Sequence, residues 1–305
     1  MSEEIAFSDF ERLSVILPAF NEASVIAGLI SGIRKATHDD AEIIVVDDGS
    51  GDATAGEAEQ AGATVIRHPY NKGNGAAIKT GARAATRDLV VFIDADGQHD
   101  PADIPRLAAM LKDYDLVIGA RKKGSKGGWH RSAANRGYNW LASWLSRHRI
   151  EDLTSGFRAF RRELLLKFLP LFPNRYSYPS TSTLAFIAGG YSVGYCPILA
   201  RKRVGKSKLR ILRDGFKFLN IILKIVVLFN PMRVFLPASI ISFLAGLFLT
   251  GFSIANLGRL FIPNGAIICF TTAVVIFMLG LVSQQIAALR IENIEKADSK
   301  RLKGD

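Results

Sequence analysis

The chain has 305 residues, of which 49% are hydrophobic and only two are cysteines. This composition excludes a disordered chain, because it supplies enough apolar side chains to bury a core. It also excludes a disulfide framework, and the wide separation of Cys196 and Cys269 indicates a reducing compartment.

The net charge of +11 conceals two halves of opposite sign. Residues 1–120 contain 10 Lys and Arg against 20 Asp and Glu, whereas residues 121–305 contain 29 against 8. A basic half indicates a polyanionic partner, which is either nucleic acid or anionic lipid. Because the basic half also carries two long apolar stretches, we expect anionic lipid or a lipid phosphate and no nucleic acid.

The first 120 residues alternate between short β-rich runs and helical patterns. Residues 1–12 are acidic and lack the basic and apolar regions of a signal peptide, so we expect the domain that follows to lie in the cytosol. Strands are predicted at 13–17, 42–46, 63–67, 89–93 and 115–119, and helices at 22–37, 52–61, 75–86 and 102–112. This order predicts an α/β domain with a mostly parallel sheet, whose ligands collect at the carboxyl ends of the strands.

The pattern changes after residue 119. A basic, Gly-rich loop is predicted at 121–128, a Trp-rich helix at 129–146, and a last extended run at 190–203. We expect the α/β domain to occupy residues 1–209. An amphipathic, basic helix at 211–229, within a juxtamembrane segment 210–231, is too charged to span a bilayer and is expected to lie in the membrane interface.

Two apolar stretches, 234–255 and 266–288, each reach the roughly 20 residues that span a bilayer, and together they define a predicted transmembrane segment at 232–290. The basic residues near them are Lys224 and Arg233 before the first, Arg259 between the two, and Arg290 after the second. This bias predicts that both termini, the catalytic domain and a charged tail at 291–305 lie on the cytoplasmic side of an inner membrane. A helical hairpin buried in a soluble protein is the alternative.

Asp94 and Asp96 follow the apolar run 89–93 directly, and Gln98 comes two positions later. The two carboxylates lie on the same side of an extended segment, because side chains alternate with period two. Such oxygen atoms suit Mg²⁺ or Mn²⁺ that is shared with substrate phosphates. In the alternative, one aspartate forms a turn and the other caps the next helix.

Two further loops also offer polar groups to a ligand, and each has an alternative interpretation. In Asp47-Asp48-Gly49-Ser50 the glycine permits a tight turn that leaves a carboxylate free for a ribose hydroxyl or a base N–H, although a plain Asx turn fits equally well. Asn71-Lys72-Gly73-Asn74-Gly75 opens a helix and offers backbone N–H groups and one lysine to an anion. Taken by itself, this second motif is more typical of a flexible loop.

Cations dominate the region after the fifth strand. Six Lys and Arg and no acidic residue lie between Arg121 and Arg136, and a second basic run occupies 201–208. Guanidinium groups bind phosphate through two hydrogen bonds, so these clusters predict a site for a second phosphate. A solvated face that attracts lipid headgroups is the alternative, favoured for Lys122, Lys123 and Lys126. Trp129, Trp140 and Trp144 indicate packing or interfacial anchoring, and His68, His99 and His130 a structural role.

Seven motifs occur in order between residues 13 and 209: Pro18-Ala19-Phe20-Asn21-Glu22, Asp47-Asp48-Gly49-Ser50, Lys72-Gly73-Asn74-Gly75, Asp94-Ala95-Asp96-Gly97-Gln98-His99, Gly119-Ala120-Arg121, Thr154-Ser155-Gly156-Phe157-Arg158 and Gly205-Lys206-Ser207-Lys208-Leu209. In this order the motifs resemble those of the polyprenyl-phosphate hexose synthases. These are dolichyl-phosphate-mannose-synthase-like, inverting family-two glycosyltransferases with a GT-A fold. The pair of spans is similar to that of the membrane-anchored bacterial and archaeal members.

The resemblance implies transfer of a hexose from a UDP- or GDP-linked sugar to undecaprenyl or dolichyl phosphate with Mg²⁺ or Mn²⁺, for cell-envelope or glycan assembly. It implies nucleotide binding by Pro18, Asn21, Glu22, Asp48, Lys72 and Asp94, and metal binding by Asp94, Asp96 and Gln98. It implies catalytic roles for Asp96, Arg121, Arg131 and Arg203, and acceptor-phosphate binding by Arg121, Arg131, Arg136, Lys206 and Lys208. A homo-oligomer is left open.

The chain departs from its relatives at Thr181 and Tyr195, where many of them have glutamate. A phosphate acceptor needs no strong base, since its second pKa is about 6. A glycosyltransferase with a hydroxyl acceptor would need a carboxylate base, and Glu163 is the one acidic residue between Asp152 and Asp214, which argues against that hypothesis. Asp96 and Asp100 are the alternative candidates for such a base. The third hypothesis is a catalytically silent nucleotide-binding module, against which the intact Asp94, Asp96 and Gln98 argue.

Overall fold

The structure is a computed structural model that describes residues 12–122, 129–175, 178–200, 227, 230–259 and 261–302. The chain divides into two compact units, residues 1–218 and 219–305, and each is described by itself. The basic run 201–208, with Arg203, Lys206 and Lys208, lies outside the described residues, as does the helix predicted at 211–229 apart from residue 227. The finer domain boundaries stay predictions.

The first unit is built on a seven-stranded sheet with strand order β3-β2-β1-β4-β6-β5-β7. The strands are β1 (Leu13–Ala19), β2 (Glu42–Asp47), β3 (Thr64–Arg67), β4 (Leu89–Phe92), β5 (Leu116–Arg121), β6 (Arg158–Arg161) and β7 (Val193–Ile198). All neighbouring pairs are parallel except those of β6, which is antiparallel to β4 and to β5. The prediction of a mostly parallel α/β sheet is confirmed.

Helices connect the strands of this sheet. They are α1 (Ala23–Ala36), α2 (Thr54–Gln60), α3 (Asn74–Ala84), α4 (Ile104–Ala109), α5 (Trp129–Ser146), α6 (Arg162–Phe168) and α7 (Tyr178–Ala188). In α1 the buried residues Ile26, Leu29, Ile30 and Ile33 recur at helical spacing. They join the apolar side chains of β1, β2 and β4 in one core.

The polar motifs meet at one edge of the sheet, as predicted. Ala19 pairs with Asp47 at the carboxyl ends of β1 and β2, and Ile16 pairs with Phe92 at the end of β4. The backbone N–H of Asp48 donates to the carbonyl of Ala19 at 2.9 Å, so the two turns continue side by side beyond the strands. Three of the predicted motifs, after β1, β2 and β4, therefore start from neighbouring strands.

Within residues 230–259 and 261–302, the second unit has two long helices, Met232–Leu257 and Asn264–Leu302, that form a hairpin. Their membrane-compatible segments, Met232–Leu257 and Asn264–Leu289, have mean hydropathies of 2.0 and 2.5. Ser239 Oγ donates to the carbonyl of Ala273 at 2.8 Å, and Ser242 Oγ donates to that of Cys269 at 2.9 Å. Hydroxyls satisfied between the helices and apolar side chains exposed outside them are typical of a hairpin in lipid, so the unit suggests membrane association.

The close packing of α3 on the sheet yields a stability prediction. A Cβ at the buried Gly81 would collide with Ile16 and would lie 3.2 Å from Val46. We therefore expect Gly81→Ala to lower the free energy of unfolding by about 1–3 kcal/mol, in a denaturant titration followed by circular dichroism.

Gly28 provides the matched control, because it lies on the exposed side of α1 and a Cβ there would meet nothing within 4 Å. Gly28→Ala should raise the free energy of unfolding by up to about 1 kcal/mol. Equal effects of the two substitutions would contradict the close contact between α3 and β1.

Candidate active site

The turn after β1 is tied to the turn after β2. The backbone N–H of Asn21 donates to Ser50 Oγ at 2.9 Å. Oδ1 of the Asn21 side chain accepts from the backbone N–H of Gly51 at 2.9 Å. Asn21 has a φ of 57°, in the left-handed region that asparagine tolerates better than most residues. Glu22 begins the next turn and donates its N–H to Thr54 Oγ1 at 2.9 Å, while Pro18 lies half-buried within β1.

The two aspartates after β2 have different roles. Asp47 Oδ1 accepts from the N–H of Ser50 at 3.0 Å, which is the Asx turn considered as the alternative for this motif. Asp48 is buried, and both of its oxygens have partners. Its Oδ1 lies 2.7 Å from His68 Nδ1 and accepts from the N–H of Lys72 at 2.9 Å, and its Oδ2 accepts from the N–H of Gly73 at 2.8 Å. Asp48 thus holds the loop before α3, and its contact with a nucleotide stays a prediction.

The start of α3 is occupied by another part of the chain. The N–H of Gly75 donates to the carbonyl of Arg175 at 3.3 Å, and that of Ala76 to the carbonyl of Asn174 at 2.7 Å. Gly73, with a φ of 103°, and Gly75 allow this approach, because a Cβ at either position would collide with the incoming backbone. These N–H groups are therefore engaged within the chain, and binding of an anion by this loop stays a prediction. The exposed Lys72 side chain, 5.8 Å from the Tyr70 ring centroid, stays a candidate.

Asp94 and Asp96 follow β4 at the carboxyl edge of the sheet. Asp96 Oδ1 accepts from the N–H of Gln98 at 3.1 Å, which fixes the turn between them. The helix cap falls instead on Asp100, which accepts from the N–H of Ala102 at 3.1 Å. The alternative that Asp94 or Asp96 caps the next helix is therefore wrong, and both carboxylates remain at the strand end.

The backbone at Gly156 lies directly against the carboxylate of Asp94. A Cβ at Gly156 would lie 2.5 Å from Asp94 Oδ2 and 2.9 Å from Asp94 Cγ. On its other side Asp94 Oδ2 is 3.8 Å from His99 Nε2, and the His99 ring packs on Phe157 with ring centroids 5.1 Å apart. Burial lowers the pKa of His99 to about 4, so the imidazole is neutral at pH 7. Among the described residues, His99 Nδ1 has no hydrogen-bond partner.

Arg121, at the end of β5, is already paired. Its Nε donates to Asp152 Oδ2 at 2.7 Å, and its Nη2 donates to Asp152 Oδ1 at 2.9 Å and to Thr154 Oγ1 at 2.5 Å. Burial alone would raise the pKa of Asp152, but its hydrogen bonds with Arg121 and the charge of Arg121 outweigh burial and hold the pKa below 3.8. Sequence reasoning missed Asp152, although it is the acidic residue closest before the motif that begins at Thr154.

Arg158 is fully buried at the start of β6, and its hydrogen bonds go to neutral oxygens. Nε donates to the carbonyl of Ser155 at 2.7 Å and Nη2 to that of Leu153 at 3.2 Å, while Nη1 donates to Ser182 Oγ at 3.0 Å and Thr183 Oγ1 at 2.7 Å. Burial lowers the pKa of Arg158 to about 10, so the side chain stays charged at pH 7. In the part of the chain that the structure describes, no carboxylate pairs with it.

The two positions that lack the glutamates of many relatives lie near this arginine. Thr181 is buried in α7, immediately before the two hydroxyl residues that bind Arg158. Tyr195, on β7, has its pKa raised to about 12 by burial, against the opposing effect of the Arg158 charge. The side-chain groups that α7 and β7 place near the guanidinium group of Arg158 are therefore neutral hydroxyls.

The predicted acceptor residues are placed only in part. Arg131 and Arg136 both lie on α5; Arg136 is exposed, whereas the side chain of Arg131 is not among those described. Arg203, Lys206 and Lys208 lie outside the described residues.

Across the described ranges, no group of three or more His, Cys, Asp or Glu side chains is arranged to hold a metal ion. The set of Asp94, Asp96 and Gln98 would supply at most two carboxylates, so other ligands would have to come from a substrate.

The fold and the carboxylates at its strand ends define a GT-A-type glycosyltransferase. Glucosyl-3-phosphoglycerate synthase from Mycobacterium tuberculosis, solved with Mn²⁺ and UDP-glucose, has a TM-score of 0.60 and 25% sequence identity, over 74% of this chain and 84% of that one. Residues 14–169 match glycosyl transferase family 2, and residues 230–289 match the GtrB C-terminal hairpin. The chain belongs to glycosyl transferase family 2.

Two relatives carry names that describe their reactions. Dolichyl-phosphate hexose transferase of Haloferax volcanii is 32% identical over 205 residues, which cover 66% of this chain and 87% of that protein. Undecaprenyl-phosphate 4-deoxy-4-formamido-L-arabinose transferase of Proteus mirabilis is 30% identical over 168 residues. These residues are 52% of each chain, so the similarity spans about half of the second relative.

The contact between Gly156 and Asp94 predicts a sensitive position. Gly156→Ala would displace the Asp94 carboxylate. A displacement of about 1 Å near reacting groups lowers the reaction rate by about 10- to 100-fold. We expect kcat/KM for sugar transfer to fall by that factor. In Gly56→Ala, the control, a Cβ on α2 would meet nothing within 4 Å, and activity should be unchanged. Full activity of Gly156→Ala would show that the position of Asp94 does not limit the reaction.

The pair of Arg121 and Asp152 predicts a pH-dependent stability. Because the folded-state pKa of Asp152 lies below 3.8, its stabilisation is present above that pH and is lost as the pH falls through the folded-state pKa. Asp152→Asn should therefore cost about 2 kcal/mol at pH 7, after allowance for the partial exposure of Arg121. Thermal unfolding of both proteins from pH 7 to below the Asp152 pKa should show their midpoints converging, and a constant difference would contradict the pair's role.

Proposed function

We propose that the protein is a metal-dependent, inverting glycosyltransferase that moves a hexose from a UDP- or GDP-linked sugar to a polyprenyl phosphate. The observation that carries this proposal is the position of Asp94 and Asp96 at the carboxyl edge of the sheet, in a family 2 chain that continues into an apolar hairpin. The names of the two relatives support the lipid acceptor. The undecaprenyl or dolichyl chain of the acceptor would lie in the membrane.

The donor set at this edge fits a divalent cation. Asp94 and Asp96 offer hard carboxylate oxygens and Gln98 an amide oxygen, which suits Mg²⁺ or Mn²⁺ that completes its shell with diphosphate oxygens. When bound, such an ion stabilises the nucleoside diphosphate that leaves. The solved structure with Mn²⁺ and UDP-glucose supports a nucleotide sugar and a metal for this fold. Asn21, Glu22, Asp48 and Lys72 would surround the nucleoside.

The acceptor phosphate requires cations more than it requires a base. A phosphate monoester is largely dianionic at pH 7, because its second pKa is about 6. The chain therefore has to hold this anion close to the diphosphate of the donor and in line with the anomeric carbon. We assign the compensation of charge to Arg131, Arg136, Arg203, Lys206 and Lys208. A single displacement inverts the anomeric centre, so an α-linked donor gives a β-linked lipid product.

Arg121 acquires a more specific role in this scheme. Its Nε and Nη2 groups are used by Asp152 and Thr154, and its Nη1 group is not engaged in those bonds. Since the side chain is 28% exposed, Nη1 can reach a ligand while the remainder of the guanidinium holds the loop that carries Asp152. Arg121 would thus both position the loop and contact a phosphate.

The catalytic unit and both termini would lie on the cytoplasmic side.

The test is a transfer assay with the purified full-length protein. Polyprenyl phosphate is supplied with a panel of UDP- and GDP-sugars and either Mg²⁺ or Mn²⁺, and the glycolipid is followed by mass spectrometry. We expect transfer from one donor class, dependent on the metal ion, and a loss of about 100-fold or more in Asp96→Asn.

Asp100→Asn is the matched control, because it also removes one carboxylate from the same loop while asparagine preserves the helix cap. It should retain wild-type activity. Absence of transfer with every donor, equal transfer by Asp96→Asn, or transfer to hydroxyl acceptors alone would overturn the proposal. Loss of activity in Asp100→Asn would indicate a carboxylate base and thus a hydroxyl acceptor.

A further inference from the structure

The outer face of α5 exposes two large aromatic side chains and an arginine. Arg136, Trp140 and Trp144 follow each other at intervals of four residues, so they lie along one side of the helix. Trp140 is 69% exposed and Trp144 is 59% exposed. Exposed indole rings that lie next to one another mark a contact surface, because each ring combines a large apolar area with one polar N–H.

An adjoining side of α5 is fixed to the domain. Asn139 Nδ2 donates to the carbonyl of Glu151 at 2.6 Å, and Asn139 Oδ1 accepts from the N–H of Leu153 at 3.1 Å. Ser143 Oγ accepts from the N–H of Ile150 at 2.9 Å, and Ala142 between them is fully buried. These contacts set the rotation of the helix about its axis. Trp140 and Trp144 stay exposed because the helix is docked by the side that carries Asn139, Ala142 and Ser143.

The sequence of α5 and of the segments that flank it is strongly basic. Residues 116–150 contain eight Lys and Arg and no Asp or Glu. Arg147 and Arg149, just beyond the end of α5, are exposed like Arg136, and Arg149 has one long ion pair, of 3.5 Å, with Glu151. A partner must therefore offer an apolar layer together with negative charge. The headgroup region of a bilayer with anionic phospholipid combines both, and the chain's apolar hairpin suggests that it is held at such a bilayer.

We propose that the outer face of α5 binds the headgroup region of an anionic phospholipid bilayer, with Trp140 and Trp144 inserted. Trp140 and Trp144 are not among the residues proposed to bind the nucleotide sugar, and the proposal does not depend on which sugar is transferred. The face is linked to the active site, because Asn139 holds the loop of residues 151–153, whose Asp152 binds Arg121. Contact with lipid at α5 thus also supports the position of that pair.

The chain offers its own reporter, since its three tryptophans, Trp129, Trp140 and Trp144, all belong to α5. The full-length protein, with Trp129→Phe and either Trp140→Phe or Trp144→Phe, leaves one reporter at a time. Each variant is reconstituted in vesicles of phosphatidylcholine with or without phosphatidylglycerol. Lipids with a nitroxide near the headgroup or near the bilayer centre serve as quenchers.

In vesicles with phosphatidylglycerol we expect tryptophan emission to shift to shorter wavelength and to be quenched more by the shallow nitroxide than by the central one. Without the anionic lipid, or in high salt, the quenching should weaken. The control carries Glu59→Trp, on the exposed side of α2, with all three native tryptophans replaced by Phe. Its emission should show no such quenching.

Three results would overturn the proposal. Emission at the wavelength of water-exposed tryptophan, unaffected by either lipid label, would mean that the face does not touch the bilayer. A shift to shorter wavelength without quenching by the lipids would mean that another protein surface covers it. Equal quenching with phosphatidylcholine alone would exclude the anionic headgroup. Because no sugar transfer is measured, these outcomes are independent of the transferase assay.

Discussion

The carboxyl edge of the sheet depends on the ion pair between Asp152 and Arg121. Arg121 donates to both oxygens of this carboxylate, whose charge also interacts with that of the buried Arg158. The same loop continues to Gly156, whose backbone supports Asp94. Negative and positive groups therefore alternate from the partly exposed Asp94 to the fully buried Arg158. The buried charge of Asp152 is tolerated because Arg121 pairs with it, and that of Arg158 because carbonyl and hydroxyl oxygens accept its hydrogen bonds.

A second set of contacts joins this arrangement to the nucleotide side of the site. The hydroxyls of α7 bind Arg158, and the segment just before α7 supplies the carbonyls of Asn174 and Arg175 to the start of α3. The loop before α3 is in turn held by Asp48. Regions far apart in the sequence thus share one hydrogen-bonded network, and the backbone N–H groups there are engaged within it.

The sequence predicted the elements with strong periodicity and failed where the decisive partner is distant. All five early strands were recognised, because their apolar runs are bounded by polar turns. The strand β6 (Arg158–Arg161) was missed, since four residues that begin and end with arginine read as a loop until Arg158 is seen among hydroxyls. The helix α7 (Tyr178–Ala188) was implied by the family resemblance, which places Thr181 in a helix before the last strand, but no apolar stripe marks it, and two of its hydroxyl residues bind the buried cation. Asp94 and Asp96 were placed correctly at a strand end, but the pairing of Arg121 with Asp152 has no local signature.

The antiparallel strand β6 has a consequence for how the chain reaches its native state. It is the strand that joins the sheet's early half, made by residues 13–92, to the later half that contains β5 and β7. During synthesis the edge of β4 stays without its neighbour until residues 158–161 have been made, and closing so long a loop is slow. An open edge can pair with the wrong strand of another chain. The sheet therefore cannot be completed until the four residues of β6 have been made, and one of them, Arg158, carries the buried charge.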